Sequence, residues 1–534
     1  MGRLWAMQNC IHIGRRVKGN VPGIPGTHVV DHSPRYSGGG AAERRSPAET
    51  YGKRERIDAL HRGGSGRVER RKVSVKGSEG VIYFATFMTV SRRTAPGPRG
   101  SLVAGSYRDY RRDPLGFFLD AGLRWGDLVR FRFVYKPAFL VTEPSYIKHV
   151  LQDRRQNYIK GISYDSLRLL LGEGLLVSEG DLWKRQRKLA QPIFHRNRME
   201  EKLAIMTGCV ESLLDRWRER REPFDVVADM MRLAFDIVGR ALMGADIVEE
   251  RLEVERVLND AIEYVYRHME APFKLPPSLP TRANRRFREC LRTLDGVVAR
   301  VLARHRAGQG ESGTLLSLLM KARDDETGRG MSDRQLRDEI LTFLLAGHET
   351  TADALVWTWT LLSDHPEIED RLHAELDAVL GGRAPRVEDL AKLAYTGQVI
   401  DESMRIYPPA WSFTRSAVEE DELGGYRIPK GSIVIVSPYV NHRLPRFWSD
   451  PARFDPERFL PEKAEALDTY AYFPFGGGPH TCIGKHLSLL EVKVGLAMIA
   501  QRFRVRVLPD QDRTPLPRIS LRPKEKIAVQ IEPR

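Results

Sequence analysis

From about residue 95 onward, apolar residues recur mostly at helical spacing, and only a few short stretches alternate apolar and polar. MEEKLAIMTGCVESLLDRWRER at 199–220 and DVVADMMRLAFDIVGRALMG at 225–244 each predict a helix. The longest such stretch starts near Ser332 and runs through DEILTFLLAGHETTADALVWTWTLL to Asp364, just before His365 and Pro366. At about 1.5 Å per residue it would span on the order of 50 Å. Its middle is apolar on nearly every face, so it is predicted to run through the centre of the fold. DLVRFRFVYKPAFLVTE at 127–143 predicts two short strands with a turn at Pro137. APFKLPPSLPT at 271–281 breaks one helix from the next, and LSLLEVKVGLAMIA at 487–500 predicts an apolar helix just after Cys482.

With 534 residues, 42% hydrophobic and 29% charged, the chain can bury a large core. No internal repeat is visible, and the fold class expected is mainly α with small β-sheets. The longest apolar run, VIYFATFMTV at 81–90, is shorter than the roughly 18 residues a membrane span needs. A soluble protein without an integral membrane anchor is therefore expected. Cys10, Cys209, Cys290 and Cys482 are too dispersed for a CxxC metal site and too few for a disulfide framework, which favours a cytoplasmic, reducing setting.

Charge divides the chain. Residues 1–87 hold 16 Lys and Arg against 7 Asp and Glu, so they carry most of the formal +15. Segments such as RYSGGGAAERRS lack apolar periodicity and have the composition of a disordered tail. A nucleic-acid arm or a targeting peptide has similar composition. The reading adopted is that 1–90 is a basic extension, disordered or misassigned, and 91–534 the functional domain, with Met88 as an alternative start and no nucleic-acid partner.

Three stretches carry candidate chemistry. Ala346-Gly347-His348-Glu349-Thr350-Thr351 puts a glycine and adjacent threonines mid-helix, where buried threonines can bond back to the carbonyl four residues earlier. This is either a packing notch for a crossing helix or a functional break. In DESMRIYPPAWSFTR at 401–415, Glu402 and Arg405 share a helical face; alone, such a pair reads as solvated, although Arg458 further on could complete a buried network. FPFGGGPHTCIG at 473–484 spends three glycines ahead of a single cysteine. Glycines let the backbone approach a flat ligand, and a helix N-terminus beyond Cys482 would depress its thiol pKa. A haem axial ligand, a nucleophile and a structural cysteine all remain open at this point.

Taken together, these motifs resemble those of the cytochrome P-450 family. Phe475, Gly478, Cys482 and Gly484 match its haem-thiolate signature; AGHETT resembles its oxygen-activating helix, ESMR its ExxR motif, PERF at 456–459 the third member of that network, and WKRQR at 183–187 its WxxxR helix. The motifs follow the family's order, over roughly residues 95–534. His480 departs from the pattern, where arginine is more common. The resemblance implies that Cys482 is the iron ligand of haem b, that Trp183, Arg187, Arg415 and His480 hold its propionates, and that Glu402, Arg405 and Arg458 are structural. It further implies that Glu349 and Thr350 deliver protons for O2 activation. Phe343, Ala346, Ala410, Trp411 and Phe413 would line the substrate pocket.

The implied function is O2-dependent monooxygenation of an apolar small molecule of fatty-acid, terpenoid or polyketide type, with FLLAGHETT and residues 442–459 most similar to the fatty-acid-hydroxylase-like branch. Electrons would come from NAD(P)H through a ferredoxin or flavodoxin and its reductase, because no flavin or iron–sulfur motif is attached. The basic WKRQRK and FHRNRMEEK stretches, with Lys485, would steer an acidic partner toward a monomeric enzyme. A haem-thiolate isomerase or dehydratase would turn over without O2 and NAD(P)H. A non-catalytic haem sensor would bind haem yet form no product.

Overall fold

The computed structural model describes residues 68–76, 82–90 and 93–534, apart from 195–198, 245–247, 249, 311–312 and 324–327. It divides into two units at Arg93 and Thr94. In the first, β1 (Val68–Lys76) and β2 (Ile82–Val90) pair antiparallel from Val68↔Val90 to Lys76↔Ile82. The sequence reading expected no regular structure in HRGGSGRVERRKV, and this hairpin is the difference. Met88 lies inside β2, opposite Arg70, so a start there would cut the hairpin. The remainder of the extension before residue 68, with Cys10, lies outside the described residues.

The second unit is mainly helical with small sheets. Its largest sheet contains β3 (Leu128–Phe133), β4 (Lys136–Val141), β5 (Tyr158–Ile159), β6 (Phe413–Ala417) and β7 (Ile433–Val436) in the order β3, β4, β7, β6, β5. The two strands expected at 127–143 form, but Pro137 is not the turn. It pairs with Arg132 inside β4, and the reversal falls at Val134, whose φ of 54° takes the left-handed turn conformation. Register matters most in β6, where Arg415 pairs with Val434 and Ser416 with Ile159. Arg415 is thereby set beside the segment that continues from β5 into Lys160. The hairpin of β8 (Pro515–Pro517) and β9 (Leu521–Pro523) lies near the C-terminus.

Among the helices that build the site are α1 (Gly180–Ala190), α2 (Val226–Val238), α3 (Arg251–Glu270), α4 (Asp333–Asp364), α5 (Ala394–Ile406) and α6 (Lys485–Ala500). Ser332 starts α4 with a reciprocal capping box, its hydroxyl taking the Gln335 N–H while the Gln335 side chain takes the Ser332 N–H. α4 then runs unbroken through AGHETT, buried along most of its length. It packs most extensively on α2. A Cβ at Gly347 would lie 2.8 Å from Val238 Cγ2, so this glycine is a packing notch that lets the two helices approach. Trp357 of α4 stacks on Tyr407 at 4.0 Å and donates from Nε1 to the Leu521 carbonyl at 2.7 Å, which ties β9 to the central helix. Among the described residues no helix is long and apolar enough to cross a membrane.

Candidate active site

A cavity of about 530 Å³ opens beside the middle of α4, and the loop before α6 forms part of its wall. It brings together nearly all the residues singled out from sequence: Trp183, Arg187, Arg415, Phe475, His480, Cys482 and Gly484 line it, as do Glu349 and Thr350. Phe343, Ala346, Ala410, Trp411 and Phe413 line it too. Gly478 does not. Its φ is 64°, and a Cβ there would lie 2.3 Å from the Leu151 carbonyl oxygen, so glycine is required for close backbone packing. Gly476 and Gly477 occupy the wall instead.

Cys482 is held by its own loop. Its N–H donates to the Phe475 carbonyl at 3.0 Å, and the Thr481 hydroxyl donates to the Gly478 carbonyl at 2.6 Å. The residue counts as exposed because it borders the cavity, while the thiol is enclosed by protein on its other sides. Burial therefore pushes the thiol pKa up, against the lowering contributions of the Gly484 N–H, Arg187 and the Lys485 N–H at the start of α6. The depression expected from the helix N-terminus is present but is outweighed. A metal cation at the sulfur would reverse this balance, since a coordinating thiol is deprotonated outright. The other two cysteines in the described residues, Cys209 and Cys290, do not line the cavity.

Around this loop lies a cluster of basic side chains with one carboxylate among them, Glu179, 3.8 Å from His480 Nε2. Arg415, though only 7% exposed, has the Thr414 carbonyl at 2.8 Å and the Tyr164 hydroxyl at 3.4 Å as partners. Arg187 donates to the Thr481 carbonyl at 2.8 Å. Lys160 donates from Nζ to the carbonyls of Ser178 at 2.9 Å and Leu175 at 3.4 Å. Burial above all, with Arg415, Arg168 and Arg187 adding repulsion against the pull of Glu179, lowers the Lys160 pKa to about 7. His480 packs against Trp183 with ring centroids 4.1 Å apart and planes tilted by 37°, and burial, then Lys160, Arg415 and Arg187, push its pKa down to about 3. Positive groups drawn out of water with so little compensation suit a ligand that brings its own anions. A thiol beside backbone stripped of side chains, facing such a cluster, fits a planar cofactor with two carboxylates, as haem is.

Lys160 and Tyr164 were missed by the sequence reading. KGISYDS carries no motif, and only the pairing of β5 with β6 brings it to Arg415.

On the opposite wall, Thr350 bonds back from Oγ1 to the Ala346 carbonyl at 2.7 Å, as its sequence context predicts. Neighbouring Glu349 is 4% exposed, and burial raises its pKa against the opposing charge of Arg522. Away from the cavity, Arg405 meets Glu402 at 2.6 Å (Nε to Oε2), with both side chains fully buried. Three carbonyls, of His442, Pro451 and Arg453, take the remaining Arg405 donors, and the Asp455 N–H reaches Glu402 at 2.8 Å. Arg458 stands 3.4 Å from Glu402. The solvated pair suggested by spacing alone is instead a buried network joining α5 to the chain at 442–458.

Comparison with known proteins agrees with this geometry. Cyclooctatin synthase of Streptomyces melanosporofaciens is 41% identical over 79% of this chain and 92% of its own. Pentalenene oxygenase of Streptomyces avermitilis is 34% identical over 79% and 93% respectively. The crystal structure of the cytochrome P450DA heme domain superposes with a TM-score of 0.75 at 26% identity, covering 83% of this chain and 98% of that one. Residues 96–531 match the family described as Cytochrome P450, and the chain belongs to that family of haem- and O2-dependent monooxygenases.

Proposed function

We propose that residues 94–534 hydroxylate a terpenoid, using haem b and electrons from NAD(P)H that arrive through a ferredoxin or flavodoxin and its reductase. The observation that carries the reading is the one cavity that Cys482, the Glu349–Thr350 pair and apolar side chains including Phe343, Trp411 and Phe413 all line. Similarity to cyclooctatin synthase and pentalenene oxygenase supports terpenoids among the wider set of fatty acids, terpenoids and polyketides. In this reading the enzyme works as a cytoplasmic monomer.

Cys482 would hold the haem iron, and Arg187, Arg415, Trp183, His480 and Lys160 its carboxylates. When bound, the haem supplies reductive activation of O2, one oxygen entering the substrate and the other leaving as water. The protein's part is to order protons and exclude competing water. Thr350 presents a hydroxyl that can hold one water against the cavity wall, and Glu349, adjacent on α4, can supply that water with a proton. Phe343 and Ala346 on α4, with Ala410, Trp411 and Phe413 opposite, would fix the substrate by apolar contact.

Partner docking rests on α1. Lys184, Arg185 and Lys188 lie along it, with Lys184 partly compensated by Asp181 at 2.8 Å. His195 to Arg198, part of the second basic stretch, lie outside the described residues. The test is reconstitution with an acidic ferredoxin and its reductase across a panel of terpenes. A Soret shift followed by an O2-derived hydroxyl on one of them is expected, with turnover slowing as salt shortens the screening length to about 8 Å. Binding without oxygenated product from any terpene would overturn the substrate class, and a flat salt response the docking surface.

A further inference from the structure

Asp353 lies one turn beyond Glu349 on α4, is 0% exposed, and neither of its carboxylate oxygens has a hydrogen-bond partner. A bare acid in the heart of the longest helix contributes nothing obvious to packing, so its surroundings are informative. Glu349 lines the cavity and Asp353 does not, which puts Asp353 behind Glu349 as seen from the substrate. Ser520, at the start of β9, also lines the cavity, and its hydroxyl lies beside both carboxylates. It is close enough to favour their ionised forms but closes no full hydrogen bond to either. Arg522 follows on β9, 3.9 Å from Glu349 Oε1, with 31% of its side chain in contact with solvent. The Trp357 bond to the Leu521 carbonyl fixes β9 at this position on α4. Glu349 at the cavity wall is thus flanked by Arg522, which reaches solvent, and by Asp353 with Ser520, which does not.

We propose that Asp353 and Glu349 act as one unit that shares a single proton, with Asp353 holding the reserve proton that recharges Glu349. This rests on the reading that Glu349 and Thr350 deliver protons. Two buried carboxylates one helical turn apart cannot both ionise easily. Arg522 and Glu349 are the charged groups that face Asp353. Burial first, and the charge of Glu349 second, hold the Asp353 carboxyl well above its ordinary range. Glu349, nearer Arg522, is the better anion.

The steps move protons only. Asp353 passes the shared proton from Oδ to the Glu349 carboxylate, Glu349 gives it to the water held by Thr350, and a proton from solvent water at Arg522 then re-enters through Glu349, 3.9 Å from Arg522, and returns to Asp353. No electron is displaced in any of them.

The test has two arms. Infrared difference spectra of the resting holoenzyme against Asp353→Asn, an isosteric change without a titrating group, should show one neutral carboxyl band at neutral pH that the variant lacks. In Arg522→Gln, which leaves the buried acid intact, a second neutral carboxyl should appear at higher pH than in the parent, because removing the cation favours protonation. In the second arm, product formed per NAD(P)H oxidised by Asp353→Asn should fall about tenfold, less than losing a general acid outright, with a larger solvent deuterium isotope effect. Asp353→Glu should recover part of the yield. Absence of the neutral carboxyl band at neutral pH overturns the proposal. Parental coupling in Asp353→Asn alongside an uncoupled Thr350→Ala overturns the reserve and spares Glu349 and Thr350. Parental coupling in both variants overturns the underlying reading as well.

Discussion

Arg405 and Glu402 meet as a bidentate pair, Nε to Oε2 at 2.6 Å and Nη2 to Oε1 at 2.8 Å, and neither side chain reaches solvent. Glu402→Gln leaves the guanidinium buried without its counter-charge, a change expected to cost about 3–5 kcal/mol. Denaturant unfolding of the haem-free protein should show this loss. An undiminished unfolding midpoint would mean that the carbonyls of His442, Pro451 and Arg453 hold Arg405 unaided.

Cys482→His should abolish the absorption band that a thiolate ligand gives the reduced, CO-bound protein. Cys209 is half-buried away from the cavity, and burial raises its pKa to about 11, so it offers no substitute. Retention of the band in Cys482→His would locate the ligand elsewhere.

Thr350→Ala should keep haem content and substrate affinity while NAD(P)H oxidation yields mostly peroxide and water. Gly347→Ala is the counterpart. Its Cβ would press on Val238, an overpacking expected to cost about 1–3 kcal/mol, while the electrons still reach product. Normal product yield in Thr350→Ala would take the hydroxyl out of the chemistry.

The Lys160 pKa of about 7 predicts how haem uptake responds to pH. Without a ligand the amine is largely neutral above that value; beside a cofactor carboxylate it is charged, so binding takes up a proton. Haem affinity should therefore fall as pH rises above about 7, and Lys160→Met should flatten that dependence in a competition titration with another haem protein. An identical slope in both proteins would exclude Lys160 from the cofactor site.

A chain starting at Thr94 should take up haem and bind substrate as the full protein does, because the family match begins at residue 96. Haem content per protein after purification decides this, and a deficient short form would make the N-terminal unit part of the enzyme.

Legibility in the sequence followed the range of the interaction. The start of α4 was readable because Ser332 and Gln335 are three residues apart and cap each other. The back-bond of Thr350 is equally local. Pro137 misled because proline marks turns on average, whereas here the missing N–H falls at a strand position next to the real turn. The Glu402–Arg405 spacing could not disclose burial, since the groups that enclose it lie about 40 to 50 residues further on. Asp353 belongs to no motif, and its setting is made only when β9, more than 160 residues later, packs against α4.

Trp183 and Cys482, on walls of one cavity, are about three hundred residues apart in the chain. A ribosome adding roughly 5–20 residues per second needs tens of seconds to cover that interval. Throughout it, α1 and its arginine exist without the loop that completes their pocket. Haem capture is thus a late event in biosynthesis, and the half-made chain has an unfilled apolar surface to shield from its neighbours in the polysome.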